Sequence, residues 1–396
     1  MKYSFHKCID RLGTYCTQWD YIEDRFGEEN LLPFSISDMD FASPPEVIRA
    51  LTKRVEHGVF GYTRWDHDAF KGSIERWYQE RFATKIHKDW IVYSPSVSYT
   101  ISKLIELITE ADDRVVVQVP AYDAFFKIIA ASNRVLSEQP LILENGHYTI
   151  DFQDLEIKLA HPKAKVFLLC SPHNPTGRVW TKEELVKIIE LCEKHQIFII
   201  SDEIHMDVVF KPNVHLPITK IAKTLDKMVI CTSASKTFNT PSLGGAYALI
   251  PNPKLKEEFL KLLKNRDGLS SASALGTIAT MTAYHECSQW VDELNVYIAD
   301  NLKVVKEFLE VNIPQASFQL PQATYLAWIN MTKLPYSSEA LQDALVHHGK
   351  VAIMPGETYG QVGKGYLRMN LGCPRSKVLA GLQRLKQGVD HLEANK

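Results

Sequence analysis

Residues 166–177 read VFLLCSPHNPTG, and the first five of them decide how the middle of the chain folds. A short unbroken apolar run that stops at Ser171-Pro172 reads as a strand buried on both faces. Three more runs resemble it: VVVQV at 115–119, IFII at 197–200 and MVIC at 228–231. Helical periodicity fills the intervals between them. Before the third run, Thr181 and Glu184 have the spacing of a capping box, and Leu185, Ile188, Ile189 and Cys192 follow on one face. Apolar runs alternating with amphipathic helices predict an α/β fold with a mostly parallel sheet flanked by helices.

Working outward, residues 1–42 read as an irregular arm. A helix is expected from Ser43-Pro44-Pro45, with Ser43 as N-cap, an apolar stripe of Val47, Leu51 and Val55 with Ile48 beside it, and a stop at Gly58. A second helix spans about 67–82, with Phe70, Ile74, Trp77 and Tyr78 on one side. Past residue 286 the pattern changes. A long helix at about 289–311 leads to a strand-like TYLAWI at 324–329 and to helices at about 337–348 and 375–392. This predicts a large domain over 47–288 and a smaller α+β domain made of 289–396 and the N-terminal arm, 1–46. No low-complexity linker separates them.

Composition excludes more than it selects. The chain has 396 residues, 45% of them hydrophobic, and a formal net charge of −2, so nothing in the overall charge favours nucleic acid or an anionic membrane. The seven cysteines are scattered without a C-x-x-C, which argues against a disulfide framework or a structural zinc site. No apolar run is long enough to span a bilayer, and MKYSFHKCID lacks the core of a secretory signal, so the cytoplasm is the expected location.

In open α/β sheets ligands sit beyond the carboxyl ends of the parallel strands. After the four runs come Tyr122, Asn174, Asp202 with His205, and Ser233 with Ser235 and Lys236. Taken singly, each has an ordinary reading as turn packing, a turn amide, a helix cap or a surface lysine. Asp202, Glu203, His205 and Asp207 include metal-ligand types, but no second His or Cys cluster completes a site, and no metal is expected. Nucleotide phosphate loops and a G-x-S-x-G elbow are also absent. The set occurring in order after consecutive strands is explained by pyridoxal 5'-phosphate. A lysine holds its aldehyde as a Schiff base, a carboxylate faces the pyridine nitrogen, an amide meets the phenolate oxygen and an aromatic stacks on the ring. The helix start at Ser96, Val97 and Ser98, with the hydroxyls of Ser233 and Ser235, suits the phosphate.

With these residues assembled, the sequence resembles the fold-type I pyridoxal-phosphate enzymes of aminotransferase class I/II, and among them the MalY/PatB-type cystathionine β-lyases. The resemblance runs through TQWDYIEDRFG (17–27), ISDMDFASPP (36–45), GVFGYTRW (58–65), PAYDAFF (120–126), CSPHNPTGRVW (170–180), ISDEIHMD (200–207), SASKTFN (233–239), QATYLAW (322–328), VAIMPGETYG (351–360) and RMNLGCPRS (368–376). It implies that Lys236 is the Schiff-base lysine and the base that removes the substrate Cα proton. It also implies Asp202 against the ring nitrogen, Asn174 at the phenolate oxygen with His205 nearby, and Tyr122 stacked on the ring. Arg368 is implied as the clamp on the substrate carboxylate, with Ser37 and Asp38 as further substrate contacts. Tyr62 is implied to reach the phosphate of the other subunit of a homodimer. Ser96 stands where many relatives have glycine, and TPSLGG (240–245) replaces a commoner IAGL-type sequence.

The activity this implies is β-elimination from a sulfur amino acid. L-Cystathionine and water would give homocysteine, pyruvate and ammonia, with cysteine or cystine as other substrates. An aminotransferase uses the same residues, and a regulatory protein that merely holds the cofactor is the alternative of another class.

Overall fold

The apolar runs do pair as neighbours. The computed structural model describes residues 2–144 and 146–395. Its large sheet contains β1 (Ile91–Ser94), β2 (Arg114–Val119), β3 (Val135–Glu144), β4 (His147–Ile150), β5 (Ala164–Cys170), β6 (Phe198–Asp202), β7 (Met228–Ser233) and β8 (Ala246–Leu249). Across the sheet the order is β1-β8-β7-β6-β5-β2-β3-β4. From β7 to β3 every pairing is parallel, while β8 and β4 run antiparallel to their neighbours. Register sets the level of the chemistry. Cys170 lies opposite Asp202, and Asp202 opposite Cys231, so β5 and β6 end side by side and β7 runs two residues further.

The main helices are α1 (Pro45–Glu56), α2 (Asp68–Phe82), α3 (Val97–Ile108), α4 (Asp123–Ala131), α5 (Lys182–Lys194), α6 (Ser235–Phe238), α7 (Ala274–Glu286), α8 (Ser288–Asn312) and α9 (Arg375–Ala394); α3 and α4 pack on this sheet, whereas α9 packs on α8. The capping box of α5 forms as expected. The Glu184 N–H donates to Thr181 Oγ1 at 3.2 Å, and the Thr181 N–H donates to Glu184 Oε2 at 2.7 Å. In α2, Phe70, Ile74, Trp77 and Tyr78 are all buried. Trp77 stacks on Tyr284 of α7 with centroids 4.7 Å apart, a contact whose truncation to alanine costs about 3–5 kcal/mol.

The start of α1 differs from expectation. Pro44, not Ser43, occupies the N-cap, because the Ser43 hydroxyl donates instead to the Asn239 carbonyl at 3.1 Å. Its apolar stripe is only partly covered: Val47 is buried and Leu51 half-buried, whereas Ile48 and Val55 are exposed in the single chain.

A second sheet holds β9 (Leu326–Asn330), β10 (Met354–Pro355) and β11 (Tyr366–Asn370), antiparallel in the order β9-β11-β10. The strand expected at 324–329 starts two residues later, where Thr324 leaves a φ of +68° that extended chain does not allow. The arm lies along this sheet. Leu32–Pro33 pairs in parallel with Val351–Ala352, and the Asn370 N–H donates to the Phe34 carbonyl at 3.0 Å. All seven cysteines are free. Among the described residues no helix is long and apolar enough to cross a membrane, and no group of three or more His, Cys, Asp or Glu could hold a metal ion.

Candidate active site

A cavity of about 400 Å³ opens where the parallel strands end. Tyr122, after β2, is the residue before α4 and stands half-buried in its wall. Asn174, after β5, is buried there, and Asp202 is the last residue of β6. Ser233 ends β7, and its hydroxyl accepts the Ser235 N–H at 3.1 Å, which fixes the turn into α6 and so the position of Lys236. The next residue, Thr237, donates to Asp207 Oδ2 at 2.9 Å, while Trp77 Nε1 donates to the other oxygen at 3.0 Å. Glu203 turns away to His215 at 2.9 Å and to the Ser201 hydroxyl at 3.0 Å. The carboxylates of the SDEIHMD segment thus serve three separate places.

Opposite the sheet edge lies the start of α3. The Ser96 hydroxyl accepts the Tyr99 N–H at 3.1 Å, and the Thr100 N–H goes to the Ser96 carbonyl. Val97 and Ser98 are left with the first-turn N–H groups that a helix cannot satisfy itself. They face the same cavity as Ser233 and Ser235, a setting for a phosphate. Ser96 has a φ of −154°, extended backbone open to any residue, so serine is accommodated where relatives carry glycine. The other departure, TPSLGG, puts Pro241 and Gly244 in the cavity wall. Gly245, at φ +89°, lies so close to Gly276 that a Cβ would meet that residue's carbonyl oxygen at 3.0 Å.

Burial controls the charges. It lowers the Lys236 ammonium pKa to about 8, helped by Arg368 and opposed by Asp38 and Asp202. Its Nζ donates to the Ser37 carbonyl at 2.6 Å. Asp202 is pushed up to about 7, again mainly by burial, although it accepts the Ile204 N–H at 3.1 Å and feels Lys236. His205 is brought down to about 3 by burial together with Lys236 and Arg368, so it is neutral, and its buried Nδ1 has no partner among the described residues. Burial and Asp123 raise the Tyr122 hydroxyl.

The second sheet supplies Arg368 from the middle of β11, flanked by Trp328 and Met354. It is buried, with Nη1 donating to Asn174 Oδ1 at 3.2 Å and Nη2 to the Ser35 carbonyl at 2.9 Å. Its Nε has no partner among the described residues, and the guanidinium carbon sits 4.5 Å from the Tyr359 ring centroid.

Two expected residues are not brought to this cavity. Asp38 lies outside its wall, held by Arg11 Nη2 at 2.8 Å and by Gln18 Nε2 at 2.9 Å. Tyr62 is fully exposed, beside Phe60 and Ser271 in a separate groove. Conversely, the reading from sequence named neither Tyr359 under Arg368 nor Tyr325, whose hydroxyl donates to the Ser37 carbonyl at 3.0 Å. Both sit inside quoted motifs, QATYLAW and VAIMPGETYG, where a tyrosine among apolar residues reads as core.

The donor set fits pyridoxal phosphate. A carboxyl raised by burial lacks the cation that a protonated ring nitrogen brings, and the anion site and the lysine stand in the same cavity. Comparison with known proteins agrees. The family model for aminotransferase class I and II matches residues 29–385. The chain belongs to that family. It is 46% identical over 383 residues to protein MalY of Escherichia coli, covering 97% of this chain and 98% of that protein. It is 37% identical to cystathionine β-lyase PatB of Bacillus subtilis, covering 97% and 99%. Among solved structures, cystalysin from Treponema denticola, which contains a pyridoxal 5'-phosphate cofactor, superposes with a TM-score of 0.94 at 34% identity. That match covers 99% of this chain and all of that one. The fold is therefore that of the fold-type I pyridoxal-phosphate enzymes.

Proposed function

We propose that the chain is a pyridoxal-phosphate-dependent carbon–sulfur β-lyase converting L-cystathionine and water to L-homocysteine, pyruvate and ammonia. The observation that carries the reading is the meeting of Lys236, Asp202, Asn174 and Arg368 in one cavity, in a chain so similar to a cystathionine β-lyase. Pyridoxal phosphate, held by Lys236, Asp202, Asn174, Tyr122 and the start of α3 with Ser233 and Ser235, supplies the electron sink for the pair left when the Cα proton departs.

The chain's own residues do the rest. Arg368 takes the substrate α-carboxylate, whose oxygen satisfies the unpartnered Nε. Ser37 lines the substrate side, with its carbonyl holding Lys236 Nζ. With a pKa near 8, the free Lys236 amine is neutral often enough at physiological pH to accept the Cα proton. Loss of the thiolate from Cβ then completes the elimination, and hydrolysis of the remaining fragment gives pyruvate and ammonia. His205, neutral beside Asp202, adds no competing positive charge.

The working unit in this reading is a homodimer in the cytoplasm. The exposure of Tyr62, together with the uncovered Ile48 and Val55 of α1, supports a second copy covering this face and receiving Tyr62 at its phosphate. Residues 47–288 form the large cofactor domain, and 1–46 with 289–396 form the smaller one. Purified protein supplied with the cofactor and L-cystathionine is expected to release pyruvate and free thiol in equal amounts. Turnover that requires a keto-acid acceptor and yields no thiol overturns the lyase in favour of an aminotransferase.

A further inference from the structure

The cavity at Lys236 continues past Arg368. Arg25 and Met354 line it and also line a second cavity of about 680 Å³, whose wall carries Glu339, Asp343 and Glu357. Arg25 belongs to the helical turn Glu23–Phe26 of the arm. That turn is anchored where Ile22 and Phe26 pack with Val346 and Ala352. The guanidinium has only a weak acceptor, Met354 Sδ at 3.7 Å, and it forms no ion pair among the described residues. Its charge nevertheless reaches inward, opposing the rise that burial imposes on the hydroxyls of Tyr122 and Tyr359.

Arg368 accounts for one substrate carboxylate. A substrate with a single carboxylate and a small sulfur substituent has no use for a second guanidinium at the mouth. A substrate with a carboxylate on the far side of its sulfur does, and an arginine fork is the group that binds it best. The acidic wall beyond repels a bare anion and attracts an ammonium. An anion-binding fork followed by an acidic wall is complementary to a zwitterion. The second cavity gives that zwitterion room.

We propose that Arg25 is the specificity-determining residue for the leaving group. It binds the distal carboxylate of a substrate whose sulfur carries a second amino acid, with the distal ammonium turned toward Glu339, Asp343 and Glu357. This rests on the lyase reading. It ranks cystathionine and cystine above cysteine and S-alkyl cysteines.

The test compares L-cystathionine with S-ethyl-L-cysteine, which offers the same Cβ–S bond without the distal amino acid. Arg25→Met is expected to raise KM for cystathionine roughly 10- to 100-fold, with a much smaller change in kcat and in KM for S-ethylcysteine. Arg25→Lys is expected to recover part of the loss. An equal change with both substrates, or none with either, overturns the proposal. If the unaltered enzyme releases pyruvate from neither compound, it is the lyase reading that fails. Dissociation constants from the change in cofactor absorbance then still decide the role of Arg25, because a preference for cystathionine that Arg25→Met abolishes supports it and one that survives overturns it.

Discussion

The eight-stranded sheet delivers Tyr122, Asn174, Asp202 and Lys236 at or just beyond the carboxyl ends of its parallel strands, whereas the three-stranded sheet delivers Arg368 from the middle of its central strand. The first arrangement works by register. Parallel strands ending within two residues of one another put their last residues and loops around one hollow, and the side chains differ while the backbone geometry repeats. The second works by clamping. Arg368 has a paired strand on each side, so its Cα cannot shift without breaking a ladder. In the proposed enzyme the large sheet therefore governs the cofactor and the proton, and the small sheet governs the grip on the substrate.

Lys236→Ala attacks the first half of that division and carries the largest expected effect. Pyruvate release should fall by roughly 10²- to 10⁴-fold, the usual worth of a positioned general base, with the loss in kcat. A loss confined to KM breaks the division. Asp202→Asn tests burial rather than turnover, in protein freed of cofactor. The folded pKa of about 7 lies above the ordinary 3.8, so the folded state holds the proton more tightly. The stability this gives is complete below about 4 and is lost as pH rises through about 7. Denaturant unfolding of both proteins across that range should show the unaltered chain losing on the order of 3 kcal/mol relative to Asp202→Asn. His205, whose folded pKa is lowered, moves stability the other way and cancels in the difference. Parallel curves for the two proteins would show that Asp202 is solvated rather than strained.

Arg368→Lys sharpens the second half with the smallest of the three effects. It keeps the charge but gives up the fork that meets Asn174 and Ser35. KM is expected to rise roughly tenfold, more than kcat falls. A fall in kcat alone would assign Arg368 to the chemistry of the other sheet.

The same contrast explains what could be read in the sequence. Strands buried on both faces announce themselves as apolar runs, which is why β2, β5, β6 and β7 and the residues following them were visible. The capping box of α5 was equally visible, because Thr181 and Glu184 bond to one another over one turn. By contrast β3 alternates buried and exposed positions over part of its length, and β8, though apolar and buried throughout, is four residues long with two alanines; neither stands out from its surroundings. Arg368 entered through family resemblance alone, since an arginine inside a strand has no local signal of its task. Ser43 was misread as a cap because its competitor, the Asn239 carbonyl, lies 196 residues away. Arg25 sits in an arm without periodicity; the stretch TQWDYIEDRFG (17–27) around it carries family resemblance but gives the arginine no task, and it is the meeting of two cavities that marks it.

The hydrogen bond from Arg368 to Asn174 spans the two sheets, and it has a thermodynamic meaning of its own. In the proposed enzyme one end belongs to the group that grips the substrate, the other to a group that touches the cofactor. An anion drawing on Arg368 alters what Asn174 receives, and anything engaging Asn174 alters the affinity for that anion by the same factor. Occupancy by the small molecule that is consumed and retention of the one that stays are, through this single contact, a linked equilibrium.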